Sequence, residues 1–429
     1  MEKDKEFGIP ERAAFWAAIV SGMAAHAFGL VNILHNYDNI LQQPKGFGAG
    51  VTSGRWLLTV LGEFCQNTLD LGYNMPVPKG LAFLLMIAIS SALIVRTLGI
   101  HKKCGAVLTG CVMATFPTVC ATMVFRFTAP YYGVSLLLAV VAVWILDRPK
   151  WGLLASSFCI ACSMGIYQAY VPFSIGLFVL ILMRQALQED RNLRQLICRG
   201  LRSCVCLLLG LILYFVFLKI TLTAYNAELD PYQGIDSMGK LAVSQLPGLV
   251  RKAWLSAALF SVRDYCTLAS TPILKALWTL LIGVTLVLSL ALVVMRKKNV
   301  WNVIFFSLMG ILFPLAVNFI VVMAPDGIVY TIMVYSFVLV AVAPLMLLEL
   351  LPAQKKKAFF TRFIAVIAAL IVFYNGYYTN LNYTSLYYAN RQVENYFSGL
   401  FTQMRMTDGY TPEKTWVFSG KYHSGSQIL

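Results

Sequence analysis

The chain has 429 residues, of which 59% are hydrophobic and 12% charged, and its mean hydropathy is +0.71. That balance lies beyond the range of soluble globular domains and excludes them. A net charge of +15 does not point to nucleic acid either, because the cations fall in short gaps between apolar runs rather than on one continuous face.

A span needs roughly 20 apolar residues to cross the hydrocarbon. About eleven stretches qualify in chain order, two of them short: 13–33, 80–98, 104–124, 130–147, 151–167, 169–183, 201–220, 276–295, 301–323, 329–352 and 359–379. Lysine and arginine concentrate in alternate gaps: Lys3, Lys5 and Arg12; Arg96, Lys102 and Lys103; Arg148 and Lys150; Arg184, Arg191, Arg194, Arg199 and Arg202; Arg296, Lys297 and Lys298; Lys355, Lys356, Lys357 and Arg362. The positive-inside rule makes those gaps cytoplasmic, with the N-terminus inside, the C-terminus outside and an odd number of spans. The predicted fold is therefore an all-α polytopic membrane protein, with a transmembrane domain over 1–379 and a small external tail over 380–429.

In the first span, Ala25-His26-Ala27 has the small-x-small form of a leader cleavage site. The acids Glu2, Asp4, Glu6 and Glu11, and an apolar run continuing through Phe28 to Ile33, predict a retained helix instead. The fifth and sixth spans meet almost without a loop at Gln168, which predicts a tight hairpin or one broken helix. Eight of the ten cysteines lie in or beside spans and read as small apolar packers, Cys159-x-x-Cys162 included. Cys65 and Cys266 fall in external segments, where one disulfide is conceivable.

The external segments are 34–79, 221–275 and the tail. The first opens with His35-Asn36-Tyr37-Asp38-Asn39 where the first span leaves the hydrocarbon, and passes a glycine-rich turn at 46–50. Thr52 or Ser53 can cap a helix beginning near Arg55. On it, Trp56, Leu57, Val60, Leu61 and Phe64 form an apolar stripe, and Thr59, Glu63, Gln66, Asn67 and Asp70 recur on another face, so a surface helix is expected. The second segment holds Asn226, Glu228, Asp230 and Asp236, then a surface helix around Leu249 to Trp254, then Arg263-Asp264. The tail predicts a helix from about Ser385 to Met406 and a short strand at 415–418. Acids and bases are nearly absent from span interiors, whereas a transporter places polar and ionisable groups at the midplane.

Asp38, just beyond the end of a span, is well placed to take a proton from an acceptor hydroxyl at the lipid–water boundary. An ordinary solvated loop acid is the plainer alternative. Tyr37-Asp38-Asn39, the segment Ser53-Gly54-Arg55-Trp56-Leu57, Phe125-Arg126-Phe127 with Pro130, and Gly165-Ile166-Tyr167-Gln168-Ala169 together resemble the bacterial and phage O-antigen glucosyltransferases, the type II Gtr group of the GT-C class. The likeness covers about the first 170 residues; beyond them only span layout and tail match. Asn39 stands where that family often has a second acid, and Thr128-Ala129 where an acid often follows the aromatic pair.

The resemblance implies a GT-C-like fold in a bacterial cytoplasmic membrane. It implies transfer of a hexose, with glucose the leading choice over mannose or an aminosugar, from a polyprenyl phosphate donor. The acceptor is a cell-surface glycan or a lipid-linked glycan at the external face. A glycosyl phosphate departs as a stable anion and needs cations more than a general acid, so one carboxylate and a few arginines suffice, where a glycosidase needs two carboxylates. In that scheme Asp38 is the base, and Arg55, Arg126 and Arg263 are the candidates for gripping the donor phosphate. Arg126 reads equally as a snorkelling anchor, and Arg263 as a partner of Asp264. Glu63, Asp70, Tyr167 and Gln168 are candidates for binding acceptor or sugar. No metal site is assigned, although Glu63 and Asp70 are the pair that could hold a divalent ion. Expected partners are membrane lipids, a flippase and a donor synthase, with no nucleic acid. The competing class is a flippase or transporter of lipid-linked saccharides.

Overall fold

The computed structural model describes residues 7–188, 192–230, 243–296, 299–325, 327–352, 355–413 and 415. The expectations attached to Glu2, Lys3, Asp4, Lys5, Glu6, Arg191, Asp236, Lys297, Lys298 and residues 416–418 lie outside these. Among the described residues the helices are α1 (Ile9–Val31), α2 (Tyr37–Leu41), α3 (Trp56–Glu63), α4 (Pro76–Leu98), α5 (Lys103–Thr115), α6 (Pro117–Val124), α7 (Ala129–Ile145), α8 (Gly152–Ile166), α9 (Val171–Ala186), α10 (Leu193–Ala224), α11 (Leu246–Ala258), α12 (Pro272–Arg296), α13 (Val300–Val317), α14 (Ile320–Met323), α15 (Leu339–Glu349) and α16 (Lys355–Arg405). Among the described residues, eight helical stretches are long and apolar enough to cross a membrane, and three shorter apolar ones accompany them. The protein is an all-helical polytopic membrane protein, as its hydropathy requires. Among the described residues the β-structure is one isolated bridge, Lys45 to Tyr73.

Small residues set how closely the helices approach, since lipid offers no hydrophobic force to drive apolar helices together. The buried face of α1 is Ala14, Ala18, Gly22, Ala25, His26 and Leu30, nearly all small and one turn apart. Against it, a Cβ on Gly110 of α5 would lie 2.2 Å from the Ala14 carbonyl oxygen. Backbone cannot swing aside, so Gly110→Ala should destabilise by about 1–3 kcal/mol, the usual range for overpacking. Gly283→Ala on α12, where nothing lies within 4 Å of the added carbon, should be neutral. Thermal unfolding of the two variants in detergent distinguishes them.

Serines fix the antiparallel order of α7, α8 and α9. Ser135 Oγ donates to Ser163 O at 2.8 Å, Ser156 Oγ to Ala142 O at 2.7 Å, and Ser174 Oγ to Ala139 O at 3.0 Å. The α8–α9 junction is therefore a hairpin: Tyr167 is extended and a single 3-10 turn, Gln168–Tyr170, restarts the chain.

Three expectations need correction. The proposed span 329–352 is α-helical only from Leu339, after a loop around Gly327 to Tyr330 and two short 3-10 turns, Thr331–Met333 and Tyr335–Val338. The β-branched residues Ile328, Val329, Thr331 and Ile332 made this apolar stretch look continuous with the helix behind it. The last span and the tail helix, expected to part near residue 380, are one helix, α16. The polar groups there are used inside the bundle instead of ending the helix. Asn380 Nδ2 donates to Ala25 O at 3.1 Å and Gly376 O at 2.9 Å. Tyr383 Oη lies 2.8 Å from His26 Nδ1, while His26 Nε2 lies 3.0 Å from Ala114 O. Third, Cys65 and Cys266 are free thiols; the Cys266 thiol donates to Val329 O at 3.4 Å. The α1 helix runs unbroken through Ala25-His26-Ala27.

Candidate active site

One end of the bundle carries a cavity of about 680 Å³. Its floor and walls come from the turn after α1, the loop before α3, the α6–α7 turn, the α8–α9 hairpin and the irregular segment around Val329. Asp38, Arg55, Tyr167 and Gln168 all line it. Four of the eight residues singled out from sequence thus converge on one space.

Asp38 sits in α2, a single helical turn whose placement is fixed by asparagines. Asn36 caps it, its Oδ1 accepting from Asn39 N at 2.7 Å. Asn39, only 1% exposed, donates Nδ2 to Val124 O at 2.5 Å and to Leu34 O at 3.4 Å. The turn is thereby tied to the end of α6, and Asp38 is left exposed at the cavity rim. An amide at position 39 is a donor, which an ionised acid is not. Asn39→Asp should therefore set a carboxylate against two carbonyls, lower stability by about 1–3 kcal/mol and reduce sugar transfer by displacing Asp38. Wild-type activity in membranes containing N39D would show that the amide does not matter.

Arg55 follows Gly54, whose φ of 72° is the left-handed conformation suited to glycine. The Arg55 guanidinium lies 5.1 Å from the Tyr167 ring centroid and 5.8 Å from that of Tyr132. Those two rings stack at 4.0 Å with 9° between planes. The cation thus rests on the faces of two stacked aromatic rings. Arg55 has no carboxylate partner among the described residues, and its Nε is buried without a hydrogen bond. A half-buried cation of this kind at a cavity wall is suited to an anionic ligand.

The remaining candidates stand elsewhere. Arg126 lies between Phe125 and Phe127, which do line the cavity. Its own side chain turns inward and donates Nη2 to Asn32 O at 2.6 Å, clamping the end of α1. Burial lowers its pKa to about 10, so it remains cationic at neutral pH. Arg263 is exposed just beyond the C-terminal end of α11. Glu63 accepts a hydrogen bond from Tyr225 Oη, which raises the Tyr225 phenol. Asp70 pairs with Lys45 at 2.5 Å on the exposed surface. Neither Glu63 nor Asp70 lines the cavity, and no group of three His, Cys, Asp or Glu residues among the described ones could hold a metal ion. On α3 and at its C-terminal end, Val60 and Phe64 of the expected apolar stripe are exposed, whereas Trp56 of that stripe and Thr59 of the expected polar face are buried against the protein. Gly62 lets Phe47 approach, and Gly165 lets Trp56 approach, so small neighbours rather than periodicity decide which face is covered.

Sequence inspection passed over the wall formed by Ile328, Val329, Tyr330, Ile332 and Met333. It is held from two sides: Thr118 Oγ1 donates to Thr331 O at 2.8 Å, and Thr331 Oγ1 donates to Cys266 O at 2.9 Å. Pro325 and Gly327, breakers at the head of an apolar run, were the available signal. Tyr132, at the start of α7, was likewise missed.

Many membrane-spanning helices, with the Asp38 carboxylate and the Arg55 cation on a mostly apolar cavity at the bundle end, define a polytopic membrane protein with a polar-tipped pocket. The family model described as Glucosyl transferase GtrII matches residues 27–341, and the chain belongs to that family. It is a membrane glucosyltransferase. No curated protein and no solved structure matches the chain.

Proposed function

We propose that the enzyme moves glucose from a polyprenyl phosphate donor to a glycan or lipid-linked acceptor at the external face of a bacterial cytoplasmic membrane. The N-terminus is cytoplasmic and the end of α16 external in this reading, following the cation distribution. The observation that carries it is the placement of Asp38 and Arg55 on one cavity that is also walled by the apolar side chains of Ile320, Ala324, Ile328, Val329, Ile332 and Met333. Such a wall suits the isoprenoid next to the phosphate, and Arg55 suits the phosphate itself.

In the reaction the acceptor hydroxyl oxygen attacks the glucose anomeric carbon. The bond from that carbon to the phosphate oxygen breaks, its electron pair staying on the polyprenyl phosphate. Asp38 takes the acceptor proton. The donor is a phosphodiester with one negative charge, whereas the departing lipid phosphate monoester approaches two, so a fixed cation is the main requirement at the leaving group. Tyr167 and Tyr132 hold that cation in place, and Gln168, largely buried at the cavity wall next to Tyr167, borders the sugar. Arg126 serves here through the end of α1, and Arg263, Glu63 and Asp70 act at the periphery. A flippase and a donor synthase complete the pathway as partners.

The decisive experiment incubates membranes containing the enzyme with radiolabelled glucose carried on polyprenyl phosphate or, separately, on a nucleotide. Label entering glycan from the lipid donor alone supports the proposal; use of the nucleotide sugar without lipid overturns it.

A further inference from the structure

Tyr214 of α10 is 2% exposed and does not line the cavity, yet it is one hydrogen bond from the backbone that launches Arg55. Its Oη donates to Gly54 O at 3.0 Å and accepts from Gln168 Nε2 at 3.2 Å. The same Gln168 amide donates to Ser53 O at 3.0 Å. The loop backbone at 53–54 is thus held by one side chain from the α8–α9 hairpin and one from α10. The fit is close: a Cβ on Gly54 would stand 2.7 Å from Tyr214 Oη and 2.8 Å from Gln168 Nε2. Tyr167, whose ring lies under the Arg55 guanidinium, is the chain neighbour of Gln168. One hairpin therefore supplies both the latch on the backbone of Arg55 and the surface beneath its side chain.

We infer that Tyr214, acting through Gln168 and the 53–54 backbone, is a positioning residue for Arg55 and sets the enzyme's affinity for a lipid phosphate. The inference rests on the reading of Arg55 as the phosphate grip. Without the phenolic hydroxyl, Gly54 O and one Gln168 amide hydrogen lose their shared partner. The loop can then shift, and the guanidinium with it. Tyr214→Phe removes only that oxygen and leaves the ring's packing in place.

The test is a double-mutant cycle on the full-length protein in detergent micelles, with undecaprenyl phosphate as the probe and tryptophan fluorescence as the readout. Arg55→Gln should weaken binding about tenfold or more, and Tyr214→Phe about three- to tenfold. In the Arg55→Gln background, Tyr214→Phe should cost less than about twofold, since the two residues act as one unit. A merely structural tyrosine would weaken binding by the same factor in both backgrounds, and that additive result overturns the inference, as does a Y214F single variant that binds like wild type. Wild-type affinity in R55Q is a separate outcome: it removes the phosphate-grip reading itself, and the role of Tyr214 with it. Gln168→Leu, which deletes both amide bonds, should repeat the Tyr214→Phe pattern and serves if the phenylalanine variant does not accumulate.

Discussion

Asp38→Asn is expected to lower glucose transfer by about a hundredfold to ten-thousandfold, the contribution of a positioned general base, while leaving the protein folded. The amide is nearly isosteric with the carboxylate, and Asp38 is exposed and forms no ion pair among the described residues. What holds its helical turn is backbone and neighbour: Gln42 N donates to the Asp38 carbonyl at 3.1 Å, and Asn39 Nδ2 to Val124 O at 2.5 Å. None of these contacts uses the carboxylate. The variant should accordingly match wild type in expression, thermal unfolding and undecaprenyl phosphate binding, and differ in turnover. Asp38→Glu keeps the base but moves it by one methylene, so it should retain part of the rate. Transfer assays in membranes, normalised to protein, decide the matter; a D38N enzyme that turns over normally removes Asp38 from the chemistry. The pairing with Asn39→Asp is informative, because that change adds a carboxylate one residue away and is still expected to lose activity.

The spans and the site were not equally legible in the chain. Span positions follow from the cost of placing backbone and charge in hydrocarbon, a constraint strong enough to appear in composition alone, and all eleven stretches contain apolar helix. The boundaries were weakest where polar residues satisfy one another inside the bundle. Tyr383 and Asn380 looked like an outer boundary because a single chain does not reveal His26 and Ala25 as their partners. Conversely, the apolar segment around Val329 looked like helix because hydropathy does not distinguish a span from an irregular wall fastened by Thr118 and Cys266. Among the candidate site residues, Asp38, Arg55, Tyr167 and Gln168 were readable from short motifs, yet their shared cavity is a product of long-range contacts. The same contacts separate the others. Arg126 and Arg55 are both arginines near a span end, and only the Asn32 carbonyl waiting for Arg126 sends it inward. Tyr214 carried no signal at all, being one tyrosine in an apolar helix.

Arg55 offers the second large effect, and its kinetic form is specific. If the guanidinium held the donor phosphate equally in ground and transition states, its loss would raise KM and spare kcat. In the proposed reaction, however, charge on the phosphate grows as the bond to glucose breaks, so the cation should bind the transition state more strongly than the donor. Arg55→Gln should thus lower kcat as well as weaken donor binding, with kcat/KM falling by about a hundredfold to a thousandfold, as for loss of one fixed donor at a developing anion. Arg55→Lys keeps the charge but not the planar group that lies against Tyr167 and Tyr132, nor its bidentate fork. It should bind donor nearly as well as wild type and still fall well short in kcat. Steady-state kinetics with lipid-linked glucose over a range of donor concentrations separates these cases. A lysine enzyme with wild-type kcat would mean that charge alone is needed, and that the stacked tyrosines beneath Arg55 have no part in catalysis.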